Sequence, residues 1–304
     1  MMQALLKDPF FFGEEILNTM HIFIGPWLDY CMIAITAMGT QLFYVVMLPL
    51  AYWLYDREIT LKIGAVFLVS SVINDMTKEI FQNPRPDPAY LVDGIRELNI
   101  TYKPKGPGFP SGHTQGALTF WGSIIYFNRT RVMIILSALL IILIPYSRIY
   151  LGVHYLGDVI GGYIIGALCL LVCIPLVIYC GKHYMNWNSV LIILGLIILP
   201  LAVFLIIPGY QTQQPLGVLS GMLLGAYMAR DIIFNPRNTL SAGLVKVLIG
   251  LIGIFIIKSG VKIILPDSAI FSYIRYWLIG AWVSFAAPLI FSKVEMLKGK
   301  TDNC

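Results

Sequence analysis

The sequence predicts an all-α protein that crosses a membrane many times. Its 304 residues are 58% hydrophobic and only 12% charged, whereas about a quarter of the residues in a soluble domain are charged. Apolar runs long enough to cross hydrocarbon recur along most of the chain, separated by polar segments. Because helices satisfy their own backbone polar groups inside a bilayer, we expect a polytopic helical membrane protein.

The N-terminal segment, residues 8–37, mixes aromatic side chains with acidic ones such as Glu14 and Glu15. This mixture is typical of one or two amphipathic helices at the membrane interface, hinged near Gly25-Pro26. A first membrane span in this segment is the alternative. The first 25 residues lack the basic start of a cleaved signal peptide, so we do not expect one.

Nine further apolar runs predict about nine membrane spans, several of them near the lower length limit of about 17 residues. They occupy residues 39–55, 60–82, 112–127, 131–147, 155–180, 187–208, 215–229, 240–257 and 271–292. The longest polar connection lies between the second and third runs and contains six prolines. We expect a turn-rich loop there, over residues 83–110.

A polar stretch near residues 181–187 divides the predicted spans into two groups. We expect an N-terminal interfacial segment at residues 1–38, a helical core at residues 39–184 and an accessory transmembrane bundle at residues 185–304. A glycine repeat in the accessory part suits close helix packing, with loose packing as the alternative. The repeat comprises Gly217, Gly221 and Gly225.

Composition also excludes some classes of function. The formal net charge of +5 is modest, and no basic cluster interleaved with aromatic residues occurs in the sequence, so no nucleic-acid partner is expected. None of the five cysteines forms a C-x2-C pair. A zinc site or a disulfide framework is therefore not expected.

The stretch KEIFQNPRP carries two cations to the end of the second predicted span. Lys78 and Arg85 are seven residues apart, close to two helical turns, so we expect both to project from one helix face. Pro84 and Pro86 end the helix. Two converging cations indicate an anionic ligand, and the alternative is that both side chains reach toward lipid headgroups.

The stretch GFPSGHTQG predicts a helix that begins beside a ligand. Ser111 caps the predicted helix, and the N–H groups of its first turn have no partner within the helix. Together with the helix dipole, these groups form an anion site, which Gly112 allows a phosphate to approach closely. His113 would then stand beside the bound group and donate a proton. A capping serine next to an uninvolved histidine is the alternative.

The stretch SRIYLGVHYLGD places a third cation near an imidazole–carboxylate pair. Arg148 offers a planar fork to phosphate oxygens. His154 and Asp158 are four residues apart, so on a helix they share one face. The carboxylate can then hold Nδ1–H and direct Nε2 toward a substrate. A purely structural hydrogen bond at a helix start is the alternative.

In an alternating topology the three stretches lie at helix ends on the same side of the membrane. Three cations neutralise a phosphate, His154 attacks phosphorus, and His113 protonates the departing alcohol. Phosphoryl transfer depends mainly on positioning and charge stabilisation, which this set supplies. The acidic residues of the loop are not spaced like a carboxylate metal site, so we expect no metal and no other cofactor.

These residues resemble the three signatures of the type 2 phosphatidic-acid phosphatase superfamily, without a departure at any signature position. K-x6-R-P is matched by Lys78, Arg85 and Pro86; P-S-G-H by Pro110, Ser111, Gly112 and His113; and S-R-x5-H-x3-D by Ser147, Arg148, His154 and Asp158. The resemblance covers roughly residues 39–180, and residues 187–304 lie outside the usual six-span core.

The resemblance implies a metal-independent phosphatase that works through a phosphohistidine on His154, with His113 as general acid and Asp158 as the partner of His154. It implies as phosphate ligands Lys78, Arg85, Ser111, Gly112 and Arg148. It also implies a helical core shared with lipid phosphatases, glucose-6-phosphatase and vanadium haloperoxidases.

The expected substrate is a membrane lipid phosphate or pyrophosphate, such as a phosphatidic-acid-like lipid or a polyprenyl pyrophosphate. Three alternatives stay open: a phosphotransferase to a lipid or sugar hydroxyl, a phosphatase of a soluble sugar phosphate such as glucose 6-phosphate, and a transporter or binding protein with an inactive site. The sequence predicts no oligomeric state.

Lysine and arginine residues are unevenly divided between the two predicted membrane sides. Eleven lie opposite the three stretches, seven lie on their side, and the three cations of the stretches complete the 21. Because cytoplasmic loops are enriched in lysine and arginine, the site is expected to face the periplasm or an equivalent exterior space. The expected location is a bacterial inner membrane.

Overall fold

The computed structural model describes residues 8–23, 25–206, 211–232 and 239–293. Within these residues every regular element is a helix, which confirms the all-α prediction. Contacts divide the chain into two compact units: residues 1–44 with 73–174, and residues 45–72 with 175–304. The predicted consecutive segments 1–38, 39–184 and 185–304 stay a prediction. The contact-based units are divided differently: residues 1–44 group with residues 73–174, and the second unit takes residues 45–72 from the N-terminal half.

Most helices of the first unit are apolar and long, with shorter ones near the N-terminus. They are α1 (Pro9–Phe12), α2 (Glu15–Thr19), α3 (Pro26–Ala37), the start of α4 (Gln41–Leu54), the end of α5 (Arg57–Phe81), α6 (Ile95–Tyr102), α7 (Gly112–Phe127), α8 (Arg131–Tyr150) and most of α9 (Leu156–His183). Short 3-10 turns occupy Met20–Phe23 and Pro88–Tyr90.

The connection predicted as a turn-rich loop contains a helix, α6, which the proline count did not predict. The prolines bracket a proline-free stretch, and Gly94 precedes the helix with a φ of 85°, a value that glycine adopts readily. Ile95 is fully buried against Leu17 and Leu91. Burial of this apolar face stabilises the helix inside an otherwise polar segment.

The N-terminal segment packs onto the loops of the first unit. Leu17 is fully buried, and the side chain of Asn18 donates to the Tyr90 carbonyl and accepts from the Val92 amide. Helix α3 begins at Pro26, at the predicted hinge. It continues into α4 through a bend of 54°.

The second unit contains the remaining helices. They are the rest of α4, α5 and α9, then α10 (Ser189–Ile206), α11 (Gln213–Met228), α12 (Leu240–Ile264) and α13 (Ala269–Ala281), which continues through a π-helical turn, Trp282–Ala286. Trp53 is fully buried in its core and donates to the carbonyl of Val283 at 2.9 Å. This hydrogen bond satisfies the indole N–H inside an apolar cluster.

The predicted glycine repeat lies on the face of α11 that packs against α13. A Cβ at Gly217 would lie 2.6 Å from the carbonyl oxygen of Tyr273, and one at Gly221 would overlap the carbonyl oxygen of Trp277. Contacts advance in the same direction along both helices, so the two helices run parallel. Close backbone approach, and not loose packing, is therefore the reason for these glycines.

A count of nine spans is not confirmed. Of the helices that the structure describes, six are long and apolar enough to cross a membrane, and the bent pair α3–α4 is a seventh if it forms one span. Helices α7 and α11 each have 16 residues. At about 1.5 Å per residue they are shorter than the hydrocarbon core is thick. The polytopic helical architecture itself is confirmed.

Candidate active site

The three sequence stretches meet in the first unit. Two backbone hydrogen bonds join them: the amide of Gly108 donates to the carbonyl of Asn83 at 2.7 Å, and the amide of Ser111 donates to the carbonyl of Asp158 at 2.9 Å. Residues far apart along the chain are therefore held side by side by main-chain contacts. The structure thus brings together all the residues that the sequence singled out.

Helix α7 begins at Gly112, as the sequence predicted. Ser111 has an extended backbone and caps the helix, because its hydroxyl accepts from the Thr114 amide at 3.4 Å. A Cβ at Gly112 would lie 3.1 Å from Oδ1 of Asn74, a contact tighter than ordinary packing. The N-terminus of α7 therefore presents its amides within the cluster of charged side chains.

His154 and Asp158 form a buried pair, but they do not share a helix face as predicted. Helix α9 begins only at Leu156, so His154 lies in the preceding turn. Oδ2 of Asp158 accepts from Nδ1 of His154 at 3.0 Å and from the Tyr155 amide at 3.0 Å. The turn is closed by the same carboxylate that holds the imidazole. Nδ1 is therefore the protonated nitrogen, and Nε2 carries the lone pair.

Arg85 reaches His154 from a loop, which corrects the prediction of a shared helix face with Lys78. Helix α5 ends at Phe81, and Gln82 has a φ of 46°, so the chain turns before Arg85. Nη1 of Arg85 lies 2.8 Å from Nε2 of His154 and 3.0 Å from the Val153 carbonyl. Nε donates to the Gly106 carbonyl at 2.9 Å.

Burial and charge set the protonation states of the two groups outside the spans. Burial lowers the pKa of Arg85 to about 10, and the carboxylate of Asp158 opposes this shift, so Arg85 stays charged at neutral pH. Burial, followed by the positive charge of Arg85, lowers the pKa of His154 well below its usual value. The imidazole is therefore neutral at neutral pH, which is the form that a nucleophile requires.

Lys78 and Arg148 complete the set of cations. Nζ of Lys78 donates to the carbonyls of Pro107 and Gly108, at 2.9 and 3.3 Å. Arg148 is only 2% exposed, and its Nη1 donates to Oγ1 of Thr36 at 2.6 Å. Within the described residues, Nε and Nη2 of Arg148 have no hydrogen-bond partner, nor does the buried Nε2 of His113.

Buried polar atoms without a partner are costly, so their grouping here indicates a site for an anionic ligand. The unpaired atoms belong to a cation and to an imidazole, and further cations lie in the same cluster. An anion with several acceptor oxygens, such as phosphate, satisfies these groups. Among the described residues no cluster of three histidine, cysteine, aspartate or glutamate side chains has the arrangement of a metal site. Metal independence stays a prediction.

Sequence reasoning missed several residues that support the site. Asn74 donates from Nδ2 to Gln115 at 2.8 Å, and it lies one helical turn before Lys78, which was the available signal. Glu14 accepts from the hydroxyl of Tyr155 at 2.7 Å. Thr36 and Glu14 carried no signal, because their partners lie more than a hundred residues away.

The chain belongs to the PAP2 superfamily, and it is an integral-membrane phosphatase. Residues 59–182 match the PAP2 superfamily, and residues 214–300 match the family described as "PAP2 superfamily phosphatase, transmembrane extension". The residues from Lys78 to Asp158 lie inside the first match.

Two of the similar proteins match about half of this chain. Phosphatidylglycerophosphatase B of Bacillus subtilis is 30% identical over 51% of this chain and 79% of its own length. Human sphingosine-1-phosphate phosphatase 2 is 25% identical over 46% of this chain, but only 35% of its own length is matched. The crystal structure of Aquifex aeolicus LpxE aligns with a TM-score of 0.46 at 24% identity, over 53% of this chain and 93% of that chain.

Proposed function

We propose that the protein hydrolyses a membrane lipid phosphate or pyrophosphate monoester, without a metal, through a phosphohistidine on His154. One observation carries the proposal. Nδ1 of His154 donates to Asp158 at 3.0 Å, and Nε2 lies within 2.8 Å of a guanidinium nitrogen of Arg85. The nucleophilic lone pair is thus directed at the place where a cation receives a phosphate.

In the first half-reaction, Nε2 of His154 attacks phosphorus and an N–P bond forms. The bond from phosphorus to the lipid oxygen breaks, and His113 donates a proton to this leaving oxygen. For a pyrophosphate the leaving group is the lipid monophosphate. Asp158 stabilises the positive charge that develops on the imidazole, and it keeps Nδ1 protonated throughout.

In the second half-reaction, water attacks phosphorus while His113 accepts a proton from the water. The N–P bond breaks, its electron pair returns to Nε2 of His154, and orthophosphate leaves. Lys78, Arg85, Arg148 and the first amides of α7 bind the phosphoryl oxygens in both steps. Hydrogen bonds hold Lys78 and Arg148 in position before the substrate arrives, which favours the transition state over water.

Besides binding phosphoryl oxygens, Arg85 controls the availability of the His154 lone pair. Its Nη1 is hydrogen-bonded to Nε2 of His154, the atom whose lone pair must attack phosphorus. A bound phosphate offers Arg85 a stronger, charged acceptor, so the guanidinium turns to the substrate and frees Nε2. Binding and activation of the nucleophile are thereby coupled.

A lipid substrate agrees with the surroundings of the site and with the names of the relatives. The site lies at the ends of apolar helices, where a lipid headgroup stands at the bilayer interface. Both curated relatives described above are named for phosphatases of lipid phosphates. The site faces the periplasm or an equivalent exterior space, in accord with the excess of lysine and arginine on the opposite side.

Phosphate release by the purified full-length protein in detergent with excess EDTA tests this function. The substrates are phosphatidate, phosphatidylglycerophosphate, a polyprenyl pyrophosphate, sphingosine phosphate and glucose 6-phosphate. We expect undiminished release from at least one lipid. Activity that EDTA abolishes contradicts the metal-free scheme, and turnover of glucose 6-phosphate alone contradicts a lipid substrate. If the substrate carries a labelled phosphate, label found on a second lipid indicates transfer instead of hydrolysis.

The same assay tests the nucleophile with the substitution His154→Ala. We expect turnover to fall by several orders of magnitude, because loss of a covalent nucleophile removes both half-reactions. The control is His183→Ala, because His183 lies at the far end of α9, where its described contacts are a hydrogen bond to the Tyr179 carbonyl and stacking on the Tyr179 ring. A His154→Ala rate above about a tenth of the wild-type rate excludes His154 as nucleophile.

A further inference from the structure

The bend between α3 and α4 contributes to the site, although it lies outside the three sequence stretches and outside residues 59–182. Thr36 is in the last turn of α3, is only 6% exposed, and accepts from Arg148 across 112 residues of sequence. Gly39 lies in the bend itself and touches the ring of His113. Two neighbouring residues of one short segment therefore contact two different residues of the site.

The bond to Thr36 selects which edge of Arg148 meets a ligand. A guanidinium has two edges that grip a phosphate with parallel N–H donors. Thr36 engages Nη1, which removes the edge formed by Nη1 and Nη2. The other edge, formed by Nε and Nη2, is the pair that is buried without a partner in the described residues. The hydrogen bond to Thr36 thus leaves the Nε–Nη2 edge of Arg148 available to bind a phosphate.

Gly39 gives the same segment a second role in the site. A Cβ at this position would lie 2.8 Å from Cδ2 of His113, the ring carbon bonded to Nε2. It would also lie 2.6 Å from a methyl group of Ile144. Because Ile144 is fully buried, a side chain here would displace the imidazole. Because Gly39 has no side chain, the imidazole of His113 can occupy this position.

We propose that Thr36 is a positioning residue for phosphate recognition, acting through Arg148 by fixing the guanidinium so that Nε and Nη2 bind two phosphoryl oxygens together. This inference rests on the proposed function only in that Arg148 binds the phosphoryl group. Without the hydroxyl, the guanidinium regains rotational freedom and its Nη1 competes for the same anion. Arg148 then keeps its charge, but its donors are no longer held in the orientation that binds two phosphoryl oxygens, so phosphate binding weakens.

The substitution Thr36→Val tests this role, because valine keeps the shape and removes the acceptor. We expect KM for the lipid phosphate and the inhibition constant of orthovanadate to rise together by about tenfold, the effect of losing a hydrogen bond to a charged group. Thr36→Ser keeps the hydroxyl and restores both constants. Thr36→Ala serves if the valine protein does not fold.

A matched control lies four residues away. The hydroxyl of Thr40 donates to the Ala37 carbonyl at 2.7 Å and accepts from the Phe43 amide at 3.4 Å, so it caps α4 within the same bend. Thr40→Val should lower the melting temperature and leave KM and vanadate inhibition unchanged. If Thr36→Val behaves like Thr40→Val, with fewer active molecules but unaltered constants, the positioning role is wrong.

Calorimetric titration with orthovanadate separates this inference from the proposed function. If the wild-type protein hydrolyses none of the lipid phosphates, the proposed function fails. Vanadate binding by wild-type, Thr36→Val and Thr36→Ser proteins still reports on Thr36. Weaker binding in the valine variant alone supports the inference, and equal binding in all three overturns it.

Discussion

At the scale of single residues, the site consists of buried charged side chains that hydrogen bonds to neighbouring groups hold in position. Asp158 is fully buried, and one of its oxygens holds both the imidazole of His154 and the amide of the adjacent turn. The same carboxylate therefore orients the imidazole of His154 and shapes the backbone that carries it. Removing its charge should disturb the chemistry more than the fold.

The substitution Asp158→Asn should lower turnover and move the acid limb of the pH–rate profile. A carboxylate beside an imidazole favours the protonated ring, so its loss lowers the pKa of His154 further. Because His154 is active when neutral, activity is lost as pH falls through this pKa, and the limb moves to lower pH. The measurement is kcat/KM against pH for both proteins, which reports the free enzyme.

The substrate's own phosphate also titrates near neutrality, so the ratio of the two profiles is the quantity to compare. The substrate contribution cancels in this ratio, and the contribution of His154 remains. A ratio that stays constant across the acid range contradicts the pairing of Asp158 with His154. The direction is unambiguous, because the opposite shift would require Asp158 to disfavour the charged ring.

At the scale of helices, glycine decides which backbones approach closely. Gly157 and Gly161 of α9 leave room for the rings of Phe12 and Phe109, beside the site. In the second unit, Gly217 and Gly221 bring α11 against the backbone of α13. Close packing of this kind compensates for the weak hydrophobic drive between helices in lipid.

Gly221→Ala should destabilise the protein, because the new methyl group meets the carbonyl oxygen of Trp277. Overpacking typically costs about 1–3 kcal/mol, since a neighbouring backbone cannot move aside as a side chain can. Thermal unfolding of the purified protein in detergent measures the effect.

The control for this change is Gly195→Ala in α10, where a Cβ would meet no atom within 4 Å. Its melting temperature should be unchanged or slightly higher, since alanine loses less backbone entropy in a helix than glycine. Equal melting temperatures for the two variants would exclude tight α11–α13 packing as the reason for the repeat.

At the scale of the whole molecule, the orientation in the membrane decides which compartment receives the phosphate. Lys105 and Arg129 are both exposed; Lys105 precedes α7 in the chain and Arg129 follows it. In a background without the five native cysteines, Lys105→Cys should react with a membrane-impermeant maleimide on intact cells, and Arg129→Cys only after lysis. Labelling of the second variant alone on intact cells would place the active site in the cytoplasm.

Much of the site was predictable because its residue types are chemically uncommon inside apolar helices. Lysine, arginine, histidine and aspartate are costly to place in a membrane, so Lys78, Arg148 and His154 could be identified as candidate site residues without coordinates. The start of α7 was also predictable, because Ser111 and Gly112 act through the local backbone. Local signals of this kind depend on a few consecutive residues.

The geometry around those residues was less predictable. Arg85 and His154 were expected on helix faces, whereas the chain leaves the helix before Arg85 and enters one after His154. Both cases have the same cause, because helix ends are fixed by contacts with other segments as well as by local sequence. Burial of Ile95 in an apolar cluster likewise stabilises a helix, α6, in a proline-rich connection.

The sequence by itself determined that this protein is helical, lies in a membrane, and carries a phosphate-directed set of cations and histidines, because composition and local motifs express those properties. Only the tertiary structure decided that Thr36 holds Arg148, that Gly39 makes room for His113, and that residues 45–72 pack with the C-terminal part of the chain. The physical reason is distance along the chain. Whether two residues far apart in sequence come into contact depends on how all of the intervening residues fold.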